Sequence, residues 1–123
     1  MAFIADSIFD NGLAYAGTNG TRLDITSAEA TTYTEATSTN TLGNSTVNTG
    51  APKAGAVDGR RVVVPAITAG SVTATGTAAF YALTDGVGEL LATGPLSATQ
   101  SVTSGNTFTL DAISLTLRDA TAV

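Results

Sequence analysis

Residues 70–94 constrain the fold more than any other part of the chain. From Gly70 onward, β-branched and small residues alternate through Thr84. The pattern breaks at Asp85-Gly86 and Gly88, then resumes from Glu89 to Gly94. Alternation on both sides of an Asp-Gly turn is the pattern of a β-hairpin. The stretch holds no histidine, no cysteine and no converging set of charges. Such a segment is built to pack and to present a surface.

The flanking sequence repeats the theme. Arg22 to Thr26 alternates and follows the turn dipeptide Asn19-Gly20. Arg61 to Val64 reads as a strand that stops at Pro65, with Ile67 continuing it after a bulge or bend. Ser71–Thr77, Ala79–Thr84, Glu89–Thr93 and Gln100–Val102 read as further strands. A turn at Ser104-Gly105-Asn106 leads into Thr107–Leu110, whose alternation puts Phe108 and Leu110 on one face. Leu115 and Leu117 do the same in a last strand. Short strands separated by Gly-based turns predict an all-β domain, an antiparallel β-sandwich or barrel-like fold. The expected core is Val62, Val64, Val72, Phe80 or Tyr81, Leu83, Leu91, Val102, Phe108, Leu110, Leu115 and Leu117. Before the strands, Ile4 and Ile8 lie four apart and Gly12 follows, which predicts a short N-terminal helix over 3–11 with Gly12 just past its end.

Residues 27–59 differ in composition. They are rich in Thr, Ala, Asn, Ser and Gly, with only Tyr33, Leu42, Val47 and Val57 as sizeable apolar residues. So few anchors do not offset the entropy of ordering the stretch. It is therefore expected to be a long loop or arm that gains its order from neighbouring subunits. Tyr33, Leu42, Val47 and Lys53 are its candidate partner-binding residues. Arg60 and Arg61, the one local basic feature, complete the set as a dock for an acidic partner or as a solubilising strand start.

At 123 residues the chain fits a single domain, 1–123, able to form a core without disulfides or metal. Only 12% of residues are charged, and 23 threonines take the polar share. Threonine suits a half-buried pleated surface. Five cations against ten acids give a net charge of −5, which argues against nucleic acid as a partner. Cysteine is absent, so no disulfide forms. Asp6 and Asp10 interrupt the N-terminal apolar residues, and no basic segment precedes them, so no signal peptide is read. No apolar run approaches the ~20 residues of a membrane span. The chain is expected to be made in a cytoplasm and to avoid membranes.

Catalytic signals are lacking. Without histidine, the usual nucleophilic triad and Cys/His zinc sites have no residues to use. Asp85 and Glu89 sit close across a turn, as a general acid–base pair or, more simply, as turn chemistry. Gly50 to Gly55 lacks the Gly-Lys-Ser/Thr ending of a phosphate loop, and Gly86-Val87-Gly88 lacks a third glycine. No cofactor and no enzymatic activity are expected.

Several elements together resemble small virion proteins of tailed double-stranded DNA bacteriophages. They are the apolar segment Ile4–Leu13, the strand Leu23–Ile25 and a Thr/Ser/Gly-rich stretch. With them come Gly70–Gly76, Ala82–Asp85, Leu91–Gly94 and Val102–Leu110. Relatives place a His or Thr with a large aromatic before the Ala-Leu-x-Asp element; here Ala79-Phe80-Tyr81 keeps the aromatic and lacks the histidine. The resemblance implies a non-enzymatic role in the virion, assembled in the host cytoplasm. A capsid decoration (cement) protein on the major capsid protein lattice is the leading expectation, with a homo-oligomeric state. A tail- or fibre-associated module for assembly or host attachment is the alternative, with Tyr15, Tyr33 and Tyr81 as candidate glycan-facing aromatics.

Overall fold

A computed structural model describes residues 6–55 and 59–117, with side chains from Asp10 onward. Strand accounts for 52% and helix for 16%, so the domain is antiparallel β with a short N-terminal helix. Helix α1 spans Asp6–Asn19. The strands are β1 (Arg22–Thr26), β2 (Thr41–Thr46), β3 (Lys53–Ala54), β4 (Arg60–Val64) and β5 (Ile67–Val72). They continue with β6 (Gly76–Thr84), β7 (Leu90–Val102), β8 (Thr107–Leu110) and β9 (Ile113–Leu117). Six form a curled half-barrel sheet in the order β7-β6-β1-β2-β5-β8; three form a second sheet, β3-β4-β9.

Strand β1 sits between β2 and β6 and sets the inward face. Leu23 and Ile25 point into the barrel, where Leu83 pairs with Leu23 and Tyr81 with Ile25. Val72, Val102 and Phe108 fill the same core. Val64 comes from the second sheet, and Ile113 and Leu115 pack alongside it. Phe108 is 2% exposed, and its ring lies over Gly70 and Gly43, where no side chain intervenes.

Several boundaries differ from those expected. The helix does not end at Gly12 but runs on to Asn19, where the Gly20 N–H donates to Ala16 O at 2.7 Å. Tertiary contacts extend it: Leu13 is buried, and Asp10 pairs with Arg60 of β4. Gly17 inside it serves close packing. A Cβ on Gly17 would stand 2.9 Å from Gly50 O. Residues 3–5 of the expected helix lie outside the described residues. Ile67 does not extend the preceding strand. The chain changes sheet at Pro65-Ala66, so β4 pairs with β3 and β9 while β5 pairs with β2 and β8. The strand expected over 71–77 is split by a turn whose Thr73 and Ala74 N–H groups donate to Leu42 O. Of the strands expected over 89–93 and 100–102, all but Glu89 belong to one long β7, bulged between the pairs Phe80↔Pro95 and Ala78↔Gln100. Leu117 is 41% exposed at the end of an edge strand rather than in the core.

The largest correction concerns residues 27–59, which are not an arm over the part described. Ser27 N donates to Asn40 O, closing 27–40 into a compact loop on the outer face of β1. Its Thr hydroxyls and one carboxylate hold it: Glu35 Oε1 accepts from Thr31 N at 2.8 Å and from Thr31 Oγ1 at 2.7 Å. Those bonds keep the Glu35 carboxyl below its ordinary range, the Thr31 hydroxyl contributing most. Ala30 and Ala36 pack on Ala82, with Leu90 beside them. The next residues, 41–46, form β2 in the middle of the large sheet. Small alanines fitting closely, and hydroxyls satisfying the backbone, replace the large anchors that composition led one to seek.

Beneath that loop lies an ion pair whose carboxylate is buried. Asp24 is fully buried on the outer face of β1. Its carboxylate accepts from Arg22 Nε at 2.8 Å, Arg22 Nη2 at 3.0 Å and Thr41 Oγ1 at 2.7 Å. This fork raises the Arg22 pKa further, so the guanidinium stays charged.

Candidate interaction surface

The second sheet presents its outer face away from the core. Because side chains alternate along a strand, Arg60, Val62 and Val64 of β4 point one way and Arg61 and Val63 the other. The adjacent arginines therefore separate. Arg60 turns toward α1, where its Nε donates to Asp10 Oδ1 at 2.8 Å and its Nη2 to Asp10 Oδ2 at 3.4 Å. Arg61 lies on the outer face, directly opposite Lys53 of β3 on one side and Thr116 of β9 on the other. Ser114 sits one row along, opposite Val63.

This row of Lys53, Arg61 and Thr116 is electrostatically incomplete. Neither cation has a carboxylate partner among the described residues, whereas Arg22 and Arg60 each grip one. Among the described residues Arg61 Nη1 reaches the Ser114 hydroxyl at 3.4 Å, and its buried Nε meets no acceptor. Like charges directly across a strand pair repel. The outer face thus places two cations, unpaired with any described carboxylate, beside two hydroxyls on one sheet.

The remaining sequence candidates lie elsewhere. Leu42 and Val47 are both core residues of the half-barrel and offer no surface. The Val47 N–H is also taken, by Thr21 O at 2.9 Å. Tyr33 is half-buried in the 27–40 loop, and its carbonyl accepts from Thr37 Oγ1. Of the six candidates only Lys53 and Arg61 share a surface. Ser114 and Thr116 were missed, although the alternation that turns Leu115 inward turns both of them outward.

At the far end of β6, Asp85 Oδ1 accepts from the N–H groups of Val87, Gly88 and Glu89 at 2.8, 2.9 and 3.0 Å. These bonds, that of Glu89 first, hold the Asp85 carboxyl below its usual range. Gly86 takes a φ of 76°, the left-handed conformation that this turn requires. The Glu89 carboxylate accepts from the Tyr15 hydroxyl, which pushes the tyrosine pKa up. Asp85 is therefore a turn residue, and both carboxylates are engaged locally. Beside them Val87 is 86% exposed at the loop tip.

Shallow clefts lie where the half-barrel stays open between β7 and β8. One of about 330 Å³ is lined by Thr68, Leu96, Gln100, Thr109 and Asp111 among others. Another of about 290 Å³ brings Tyr81, Pro95, Ser97 and Asp111 together. Asp111 is the single carboxylate in either lining. Among the described residues, no three His, Cys, Asp or Glu side chains converge as a metal site would need, and no helix is long and apolar enough to cross a membrane.

Compared with known proteins, the chain matches no family model, no curated protein and no solved structure.

Proposed function

We propose that this chain is a bacteriophage virion structural protein, a capsid decoration protein that binds and stabilises the lattice of the major capsid protein. The outer face of β3-β4-β9 carries this reading. It is a hydroxyl-lined sheet surface whose two cations have no carboxylate partner among the described residues, on an acidic molecule. Such a face is suited to holding another protein rather than to transforming a substrate. The sequence resemblance to small virion proteins of tailed phages supports the same conclusion. Stabilisation would come from repetition: modest contacts made by many copies around the symmetry axes of a shell sum through high effective concentration. Self-association into a homo-oligomer would add to that effect.

Particles assembled without this chain supply the test. Adding the purified protein should raise the temperature at which they release DNA, in proportion to the protein bound. Heads that neither bind the protein nor gain heat resistance would refute the proposal.

A second reading is favoured by the cleft at Tyr81. An aromatic edge beside Ser97 and the Asp111 carboxylate has the chemistry of a sugar site, as a tail- or fibre-associated attachment module would need. Binding to host cells rather than to heads would select it.

A further inference from the structure

We infer that Lys53 and Arg61, with Ser114 and Thr116, form a recognition site for a carboxylate side chain on an acidic segment of a partner protein. The assignment stands on the sheet face itself; only the attribution of that acid to a capsid subunit rests on the decoration reading.

The free protein holds Arg61 in an unfulfilled state. Among the described residues its buried Nε–H has no acceptor, its side chain makes one long hydrogen bond, and one of its two cross-strand neighbours is another cation. Burying an unpaired donor and juxtaposing like charges both cost stability. The other arginines on β1 and β4 show how this chain arranges the same group when it completes it. Arg22 and Arg60 each donate through Nε and an Nη to one carboxylate, with the Nε bond at 2.8 Å in both. A carboxylate arriving on the outer face would draw the Arg61 guanidinium outward and complete the same fork. Lys53 would supply a second charge, and the hydroxyls of Ser114 and Thr116 would donate to any remaining lone pair. The four side chains come from three adjacent strands, so the sheet fixes their spacing.

The size of the cationic patch selects the occupant. Two cations match one or two carboxylates. An extended polyanion such as nucleic acid needs many more cations and would meet the repulsion of a molecule with ten acids and five bases. An acidic protein segment needs only the local pair.

The test uses the full-length, 15N-labelled chain at low salt, titrated with three probes. These are the blocked peptide acetyl-Glu-Ser-Glu-amide, inorganic phosphate, and a ten-residue single-stranded oligothymidylate. The peptide should shift the amide signals of Lys53, Arg61, Ser114 and Thr116 saturably. Lys53→Gln and Arg61→Gln should each weaken binding roughly tenfold, the scale of a lost charged hydrogen bond. Lys53 lies exposed on a two-residue strand, so its variant tests the site even where Arg61→Gln perturbs folding. Four outcomes would overturn the assignment: no shift at these residues, shifts centred elsewhere, unchanged affinity in Lys53→Gln, or tighter binding of phosphate or oligothymidylate than of the peptide. Failure here leaves the decoration reading standing, because that is decided on particles. Conversely, heads that ignore the protein leave a positive titration intact and identify the partner as another acidic protein.

Discussion

Removing the Phe108 ring should cost about 3–5 kcal/mol, and the neighbouring glycine gives a way to show why. The ring is almost fully buried and seats directly over the backbone of Gly70. Phe108→Ala therefore deletes its transfer energy and leaves a cavity that rigid sheet backbone cannot collapse into. Gly70→Ala attacks the same contact from the other side. Gly70 is not among the glycines with positive φ, so the backbone tolerates alanine, and the penalty comes only from the new methyl overlapping the ring. Overpacking of this kind costs about 1–3 kcal/mol. In the double variant the methyl enters space that the ring has vacated. Its total loss should fall short of the sum of the single losses by about 1–2 kcal/mol. Reversible urea denaturation of the four proteins measures each quantity. Strict additivity, or a Phe108→Ala loss below about 1 kcal/mol, would refute this packing and with it the register of β5 against β8.

Three other perturbations address separate parts of the structure. Arg22→Met leaves the buried Asp24 carboxylate with Thr41 as its remaining described partner and should cost about 2–3 kcal/mol; Arg22→Met with Asp24→Leu should lose less in thermal unfolding, and a larger loss would contradict the electrostatic account. Asp85 has a folded-state pKa below its unfolded value, so its stabilisation is present above the unfolded value near 4 and is lost as pH falls through the folded one. Asp85→Asn should accordingly be less stable than the parent at pH 7 and converge with it at the acid end; an unchanged gap across that range would exclude the linkage. Lys53→Thr removes a like-charge neighbour from Arg61 and should raise the urea midpoint slightly, whereas a fall would mean the two cations are compensated in the free protein.

Much of this fold could be read from the order of residues, and the failures have a common physical origin. The strands at Arg22–Thr26 and Thr107–Leu110 announce themselves by alternation, and the one at Arg61–Val64 by a β-branched run that stops at Pro65, which is local information. So is the turn at Asp85, where one carboxylate caps three N–H groups. Core positions such as Val62, Val64, Leu83 and Phe108 follow from those local patterns. What escaped depends on partners distant in sequence. Thr41–Thr46 carries only Leu42 as a large apolar residue, yet it is a central strand because β1 and β5 flank it. The helix passes Gly12 because Leu13 and Asp10 dock on the rest of the domain. The same division holds for the surface. Lys53 and Arg61 stand out by charge, but their adjacency needs the β3-β4 register. Leu42 and Val47 look like contact residues only while the stretch that carries them is thought to be free.

Copy number in purified particles tests the central claim most directly. Quantitative mass spectrometry of virions that encode this chain, referenced to the major capsid protein, should find hundreds of copies per particle on the decoration account. A few to tens of copies would place the chain in the tail or fibres, and its absence from the particle would contradict a virion role altogether.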